Sequence, residues 1–227
     1  MITGIILPEV IIKDALENII RYIRTDLKNN PLDETQTILY KILGVTEEGK
    51  PIKMNRYNFF DQARKMFEKV GSLTVNFGYN LDVSQDISLH IILPAEQPVN
   101  PALGEDEGYG DEIDDQGRVQ QKFVQLFNSN YQIMITSSNS TEVNVIYNVL
   151  KAMFIAITPH LSLMGLLNPK VSGNDVVFQD DLIPPAIYHK ALNLTFTYEL
   201  IVPQLVVKEI VTGVIFEGTM KDYLGKA

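Results

Sequence analysis

Two stretches of this sequence decide its fold: residues 131–157, YQIMITSSNSTEVNVIYNVLKAMFIAI, and residues 187–202, IYHKALNLTFTYELIV. In the first, apolar residues alternate up to position 136 and predict a β-strand, a polar Ser/Asn turn follows, and apolar residues at helical spacing predict an α-helix over 141–157. The second stretch alternates apolar and polar residues, which is typical of a half-buried strand in an antiparallel sheet. Strand, helix and returning strand together predict a compact sheet-and-helix scaffold.

Short-range features mark the ends of this predicted helix and the two faces of the final strand. Asn139, followed three residues later by Glu142, resembles a capping box, and Pro159 is expected to close the helix because proline cannot continue it. The apolar face of the final strand is predicted to carry Leu192, Leu194, Phe196, Tyr198 and Leu200. The other face is mostly polar, so one side of the sheet is expected to pack on the helices.

The remaining elements place the chain in the α+β class: a mostly antiparallel β-sheet packed against two or three α-helices, with a long loop insertion. Further helices are predicted over residues 9–28 and 59–70. Strands are predicted at 72–81, 87–93, 123–127, 131–136, 176–178 and 205–217, with a strand pair at 36–56 and a turn at 173–175. Pro94 is expected to end the strand at 87–93.

The chain is predicted to form a single α+β domain over residues 1–227, with an insertion at 94–118 and a C-terminal strand and arm at 205–227. The insertion is rich in proline, glycine and acidic residues. Long loops without secondary structure are uncommon in compact domains and are usually functional or disordered. Three interpretations are open: a solvated mobile loop, a metal site, and an intersubunit contact that orders on assembly.

This acidic insertion is the one candidate site in the sequence. Its candidate intersubunit contact residues are Glu105, Asp106, Glu107, Tyr109, Asp111, Glu112, Asp114 and Asp115. Clustered carboxylates can bind Ca²⁺ or Mg²⁺, but Ile113 falls where the calcium-binding loop pattern requires an oxygen ligand. Hydrolysis by paired carboxylates needs a fixed separation on a rigid frame, which a mobile loop does not supply. Neither a metal nor a cofactor is therefore predicted.

Composition and charge exclude several classes of function. The 227 residues carry a formal net charge of −9 and include no cysteine, so general affinity for nucleic acid, disulfides and thiolate chemistry are not expected. The N-terminus lacks a basic leader, and the longest apolar passage, residues 149–167, is broken by Lys151 and Pro159. Neither a signal peptide nor a membrane span is predicted, and these features fit a cytoplasmic site of synthesis.

Sequence patterns for catalysis are missing. The phosphate-binding loop, the dinucleotide-binding glycine triad and the serine elbow do not occur. The three histidines, His90, His160 and His189, stand apart at spacings that do not match a metal site, and each is expected at the surface or in a hydrogen bond. The protein is therefore predicted not to be an enzyme.

The order of these parts resembles the bacteriophage tail-terminator and neck (head–tail connector) ring proteins. The resemblance is carried by the opening helix at 14–27, the strand and turn at 133–142, the helix to 157, Ser172-Gly173-Asn174-Asp175, Asp181-Leu182-Ile183-Pro184 and the strand at 188–203. It covers about half of the chain. Relative to a minimal member, the acidic segment around Gly104–Tyr109 is an insertion.

Membership would imply a non-enzymatic subunit of a homo-oligomeric ring, often six- or twelve-fold, in the virion neck or tail, assembled in the host cytoplasm. Its partners would be the portal or an adjacent neck ring and the tail-tube proteins. DNA would pass through the ring without sequence-specific binding, and an acidic lumen would let the duplex slide. Sheet edges, the segment 94–118 and the segment 205–227 are the expected contact arms.

Two other classes of function remain open. The first is a non-enzymatic adaptor or binding module of another cytoplasmic assembly, which would use the same sheet face. The second is an enzyme that uses the carboxylates of the acidic insertion, chiefly Asp111, Asp114 and Asp115.

Overall fold

The computed structural model describes residues 7–31, 33–43, 59–69, 71–78, 87–99, 110–113, 119–175 and 187–203. The helices are α1 (Pro8–Asn29), a 3₁₀ turn (Glu34–Gln36), α2 (Ile38–Leu43), α3 (Phe59–Glu68) and α4 (Ser140–Leu163). The strands are β1 (Thr74–Phe77), β2 (Ser88–Pro98), β3 (Gly110–Ile113), β4 (Val119–Ser137), β5 (Leu167–Asp175) and β6 (Tyr188–Pro203).

The strands form a mixed sheet in the order β1-β2-β4-β6-β5, and β3 pairs with the beginning of β4. β1 runs parallel to β2, whereas β3 with β4 and β5 with β6 are antiparallel pairs. Since helices pack on this sheet, the predicted α+β class is confirmed.

The chain divides into two compact units. The larger contains Leu7–Glu96 and Ser129–Thr197, and the smaller contains Met1–Ile6, Gln97–Asn128 and Tyr198–Ala227. Much of the smaller unit falls outside the described residues, so the prediction of one domain over 1–227 stays a prediction. The four α-helices of the described residues belong to the larger unit.

Helices α1 and α4 lie on one face of the sheet. Four contacts establish this: Glu9 with Tyr131, Lys13 with Phe77, Glu142 with Ser137, and Tyr147 with Gly173. Phe77 pairs with Ile91 and Gly173 with Leu192 in the strand registers, so these positions share a side with the buried apolar residues of β2 and β6. The opposite side, against which these contacts place no helix of the described residues, is called here the helix-free face.

The predicted helix over 9–28 is confirmed as α1, and its helix-spaced apolar residues are buried: Ile12, Leu16, Ile19, Ile20, Ile23 and Leu27. The predicted helix over 59–70 is confirmed as α3, which ends at Glu68 and buries Phe60, Ala63, Met66 and Phe67. Arg24 of α1 joins the two helices, because its guanidinium donates to the carbonyls of Phe67 and Ser72 at 2.9 Å each.

The predicted strand pair at 36–56 is wrong where the structure describes it, because residues 38–43 form α2. The N-terminus of this helix is capped twice. The hydroxyl oxygen of Thr37 accepts from the Tyr40 amide at 3.2 Å, and Oδ2 of Asp26 accepts from the Ile38 amide at 2.6 Å. These bonds satisfy amides that a helix start leaves open. Residues 44–56 lie outside the described part.

Neither proline expected to end an element does so. Pro94 lies inside β2. β1 ends at Phe77, opposite Ile91, so Pro94 lies beyond the part of β2 that pairs with β1. Pro159 lies inside α4, where the carbonyl of Ile155 loses its helical partner, but Ile155 is exposed and water can replace the bond.

Two other predictions need correction. The separate strands at 123–127 and 131–136 are one strand, β4, whose central Ser129 is buried and donates to Glu96 at 2.8 Å. The turn at 173–175 is instead part of β5, because Gly173, Asn174 and Asp175 pair with consecutive residues of β6. Cross-strand pairing overrides turn-forming residue types in both places.

Of the other predicted strands, those at 87–93 and 187–202 are confirmed as β2 and β6, and the one at 72–81 is shorter, ending at Phe77. In β6 the predicted apolar residues Leu192, Leu194, Phe196 and Tyr198 are buried. Strands predicted at 176–178 and 205–217, and the C-terminal arm at 205–227, lie outside the described residues.

The cap of α4 is more elaborate than the predicted capping box. Asn139 Oδ1 accepts from the Thr141 amide at 3.0 Å, as an N-cap residue should. Glu142 does not reach the Asn139 amide directly. Instead Ser137 Oγ accepts from that amide and donates to Glu142 Oε2, so a serine stands between the two ends of the box.

The two outermost strands of the larger unit differ in length but both have interrupted edges. β1 is four residues long and is followed by Gly78, which has a φ of 68°. The register of β5 shifts between Leu167 and Lys170, with Pro169 inside the irregularity. Short strands, bulges, proline and lysine are the features by which natural sheets resist further strand pairing.

Candidate functional site

The structure gives an incomplete view of the acidic residues predicted from the sequence. Asp111 and Glu112 lie in β3, where they pair with Gln121 and Gln120 of β4. The long loop predicted at 94–118 is therefore wrong for Gly110–Ile113, and for Pro94–Pro98 within β2, because both are strand. Outside the described residues are Glu105, Asp106, Glu107, Tyr109, Asp114 and Asp115.

A polar cluster lies on the helix-free face, where β1, β2 and β4 are neighbours. The imidazole of His90, only 3% exposed, is hydrogen-bonded at both nitrogens. Nδ1 lies 3.2 Å from the carbonyl of Gly78, and Nε2 lies 2.9 Å from Oγ of Ser88. Ser88 Oγ in turn lies 2.6 Å from Oγ1 of Thr136 on β4. The cluster therefore links three neighbouring strands by side-chain bonds.

The partners of His90 fix where its protons lie. A carbonyl oxygen only accepts, so Nδ1 carries the hydrogen in the Gly78 bond, and Nε2 of neutral His90 accepts from Ser88. Burial lowers the pKa of His90, and the Gly78 bond opposes that shift in part. On β6, burial and the nearby His90 lower the pKa of His189. Both histidines are therefore neutral near pH 7.

A serine beside a histidine invites comparison with a nucleophile and its base, but this geometry does not supply the other requirements. Nδ1 of His90 is oriented by a backbone carbonyl and not by a carboxylate. Ser88 Oγ is also occupied by Thr136, and the imidazole is buried. The arrangement positions strands and offers no described route for a substrate to the hydroxyl.

Metal-binding geometry is also missing from the described part of the chain, which contains no group of three or more His, Cys, Asp or Glu side chains able to hold an ion. The structure shows the surroundings of two of the histidines that were predicted at the surface or in hydrogen bonds. His90 is buried and bonded, and His160 is exposed on α4.

Two exposed apolar patches form the second candidate site, and sequence reasoning missed both. The α1–β1 patch consists of Leu7, Val10 and Phe77. The α4–β5 patch consists of Ile155, Pro159, Leu163 and Leu167, all exposed. A signal was present for the second patch, because Ile155 and Leu163 are apolar yet lie off the helix stripe that faces the core.

The apolar character of α4 extends over its whole length. By length and composition it is the one described helix that could cross a membrane, and 44% of its most apolar window is buried inside the protein. Its buried residues include Val145, Ile146, Val149 and Phe154, and the helix contacts α3 and β5. These contacts identify α4 as a core helix with an exposed apolar end.

Comparison with known proteins adds no relative. No protein-family model matches this sequence, and no curated protein matches it either. A function for this chain is therefore proposed from its own residues and geometry.

Proposed function

We propose that this chain is a structural subunit of a bacteriophage neck or tail, which forms a ring that terminates the tail tube or joins it to the portal. The observation that carries the proposal is the pair of exposed apolar patches on one compact unit, at β1 and at β5. A ring is built from head-to-tail contacts, which need two unlike surfaces on every subunit. This unit offers two such surfaces.

The charge of the chain is compatible with a DNA passage. A formal net charge of −9 disfavours tight phosphate binding, which requires clustered lysine and arginine. A duplex that must move through a ring gains from weak contacts, since repulsion between the lumen and the phosphates lowers friction. DNA is accordingly proposed to pass without sequence-specific binding.

The polar cluster also favours a role that depends on shape. The hydroxyls of Ser88 and Thr136 and both nitrogens of His90 are committed to hydrogen bonds within the sheet and to Gly78 beside it. Groups committed in this way hold a fold together and are not free to bind a substrate. Proposed partners are further copies of the chain in a six- or twelve-fold ring, the portal or an adjacent neck ring, and tail-tube proteins, within the virion. No membrane partner is proposed.

Native mass spectrometry tests this function. Over a range of protein concentrations, and in the presence of tail-tube protein, the chain should form a single closed oligomer whose mass is an integral multiple of 25.6 kDa. A population that stays monomeric under all of these conditions contradicts the proposal. A turnover that is lost when Asp111, Asp114 and Asp115 are neutralised would also contradict the proposal and would favour an enzyme.

A second candidate function, an adaptor of another cytoplasmic assembly, draws on the same two patches. An adaptor would present them to two different proteins and not to copies of itself. A monomer that forms a defined complex of unlike chains, with no self-association, would favour this alternative.

A further inference from the structure

We infer that the α4–β5 patch of one copy docks against the α1–β1 patch of the next, so that these two surfaces form the repeating contact. The inference rests on the proposed ring function and specifies the surfaces that build it. Its occupant is a second copy of this chain.

The α4–β5 patch has the form of a docking stripe. Ile155, Pro159 and Leu163 recur every four residues along the last turns of α4, which places them on one side of the helix. Leu163 is 81% exposed and Ile155 is 56% exposed. Leu167 follows directly, at the start of β5. Lysine, arginine, aspartate and glutamate are absent from residues 152–169. The stripe can therefore be buried without the cost of removing one of these charged side chains from water.

The α1–β1 patch offers the second surface. Phe77, at the end of β1, is 51% exposed, and Lys13 of α1 lies over its ring at 4.8 Å. Val10, one turn before Lys13, and Leu7, immediately before the helix, are also exposed. The methylene stem of Lys13 can add apolar contact while its ammonium stays in water.

The two patches lie at helix ends of opposite partial charge. Leu7 and Val10 flank the N-terminus of α1, where the N-cap residue makes no side-chain capping bond, and Leu163 is the last residue of α4. Backbone dipoles leave a helix N-terminus partly positive and a C-terminus partly negative. Contact between unlike patches therefore joins complementary ends, whereas contact of either patch with its own kind would join ends of the same sign.

The two patches lie at opposite ends of the strand order. Phe77 belongs to β1 and Leu167 to β5, the two outer strands, and β2, β4 and β6 lie between them. With neighbouring strands about 4.8 Å apart, these edges are about 19 Å apart. In the inferred contact each copy has one neighbour at each edge, an arrangement that lets a chain of subunits close on itself.

Direct strand pairing between copies is a weaker explanation of assembly. β1 is only four residues long, and β5 is interrupted by its register shift and by Pro169. These features oppose continuation of a ladder across subunits. Side-chain docking of the two patches needs no continuous edge.

Two charge-introducing variants test the contact. Leu163→Asp places a charge in the α4–β5 patch, and Phe77→Asp places a charge in the α1–β1 patch. Each should raise the concentration needed for half-assembly about 10- to 100-fold, the effect expected from losing one buried apolar side chain. Val10→Asp tests the second patch again if Phe77→Asp does not fold, because an acidic residue is favourable in the first turn of a helix. Tyr22→Ser is the matched control, since Tyr22 is exposed on α1 but outside both patches.

Mixing the two single variants gives the decisive result. Each variant keeps one intact patch, so an equimolar mixture should form a heterodimer that cannot grow, with twice the subunit mass. Rings that form normally from both variants would overturn the inferred contact while leaving the ring function standing. A wild-type chain that never self-associates would overturn both, so the two failures are distinguishable.

Discussion

The hydroxyl of Tyr147 on α4 occupies the space in which Gly173 on β5 would carry a side chain. A Cβ built at Gly173 would lie 1.8 Å from the hydroxyl oxygen and 2.6 Å from the ring carbon that bears it. Tyr147 also makes two cation–π contacts, because the ammonium groups of Lys190 and Lys151 lie 4.6 and 5.7 Å from its ring centre. The missing side chain at Gly173 therefore sets how closely α4 approaches the sheet.

Gly173→Ala should lower the free energy of unfolding by about 1–3 kcal/mol, the usual range for forcing an extra group into a packed site. Urea unfolding followed by circular dichroism measures this. In a double-mutant cycle, Tyr147→Val should relieve the clash, so that the combined loss is smaller than the sum of the single losses. Additive losses would show that the ring moves aside without strain. Ser172→Ala, on the exposed neighbouring position, is the control and should change stability little.

Arg24→Ala should lower the free energy of unfolding by about 1–3 kcal/mol, because it removes charge-assisted bonds to two carbonyls at the C-terminal end of α3. Arg21→Ala is the control on the same helix, since Arg21 is exposed and its described side-chain bond is to Asn18 of its own helix. Thermal unfolding of both variants compares them. Equal effects of the two substitutions would contradict the capping role of Arg24.

Thr37→Ala should cost about 1 kcal/mol, the typical value for an N-cap residue, since the Thr37 hydroxyl accepts from the Tyr40 amide. Asp26→Ala should act on the same helix start, through the Ile38 amide. Hydrogen exchange of the Ile38 and Tyr40 amides separates the two contributions, because each substitution should speed exchange most at the amide it caps. Thr35→Ala, outside α2, should leave both amides protected.

The free energy of unfolding should fall as the pH drops below about 6.5, the ordinary pKa of histidine. Burial lowers the pKa of His90 and His189 in the folded state, so the unfolded chain binds more protons in this window and acid favours unfolding. The loss should continue until the pH reaches the lowered folded-state pKa values, with a limiting slope of about 1.4 kcal/mol per pH unit for one proton.

Replacing His90 with glutamine identifies its share of this dependence. His90→Gln should flatten the pH profile between about pH 5 and 7. An unchanged profile in His90→Gln would show that His90 takes up no proton on unfolding in this range.

Sequence patterns located the elements whose side chains pack in regular stripes. The apolar positions of α1 and β6 repeat at the periods of a helix and a strand, and the structure buries them as expected. Such elements can be predicted because the core selects residues by period, whatever the neighbours are.

Errors arose where a distant partner decides the outcome. Residues 38–43 are helical although their composition suits a strand, because Asp26 of α1 supplies a cap from twelve positions earlier in the chain. β2 continues through Pro94 as a neighbour of β4, although β1 has already ended beside it. Gly173 is a strand residue because it pairs with Leu192 of β6. None of these relationships is visible within a local window of sequence.

The sequence predicted one of the candidate sites, the acidic insertion. Of its acidic residues, the structure describes only Asp111 and Glu112. It did not identify the two apolar patches, because exposure is decided by which stripe of α4 the sheet covers. His90 was expected in a hydrogen bond or at the surface, and the structure gives the first outcome together with burial.

The interrupted outer strands have a consequence for handling and storage of this protein. A bulge with Pro169 on one side and a four-residue strand on the other remove the templates on which fibrils nucleate. If a concentrated stock of the protein aggregates, we therefore expect the exposed apolar end of α4 to be the cause before either of these two strands.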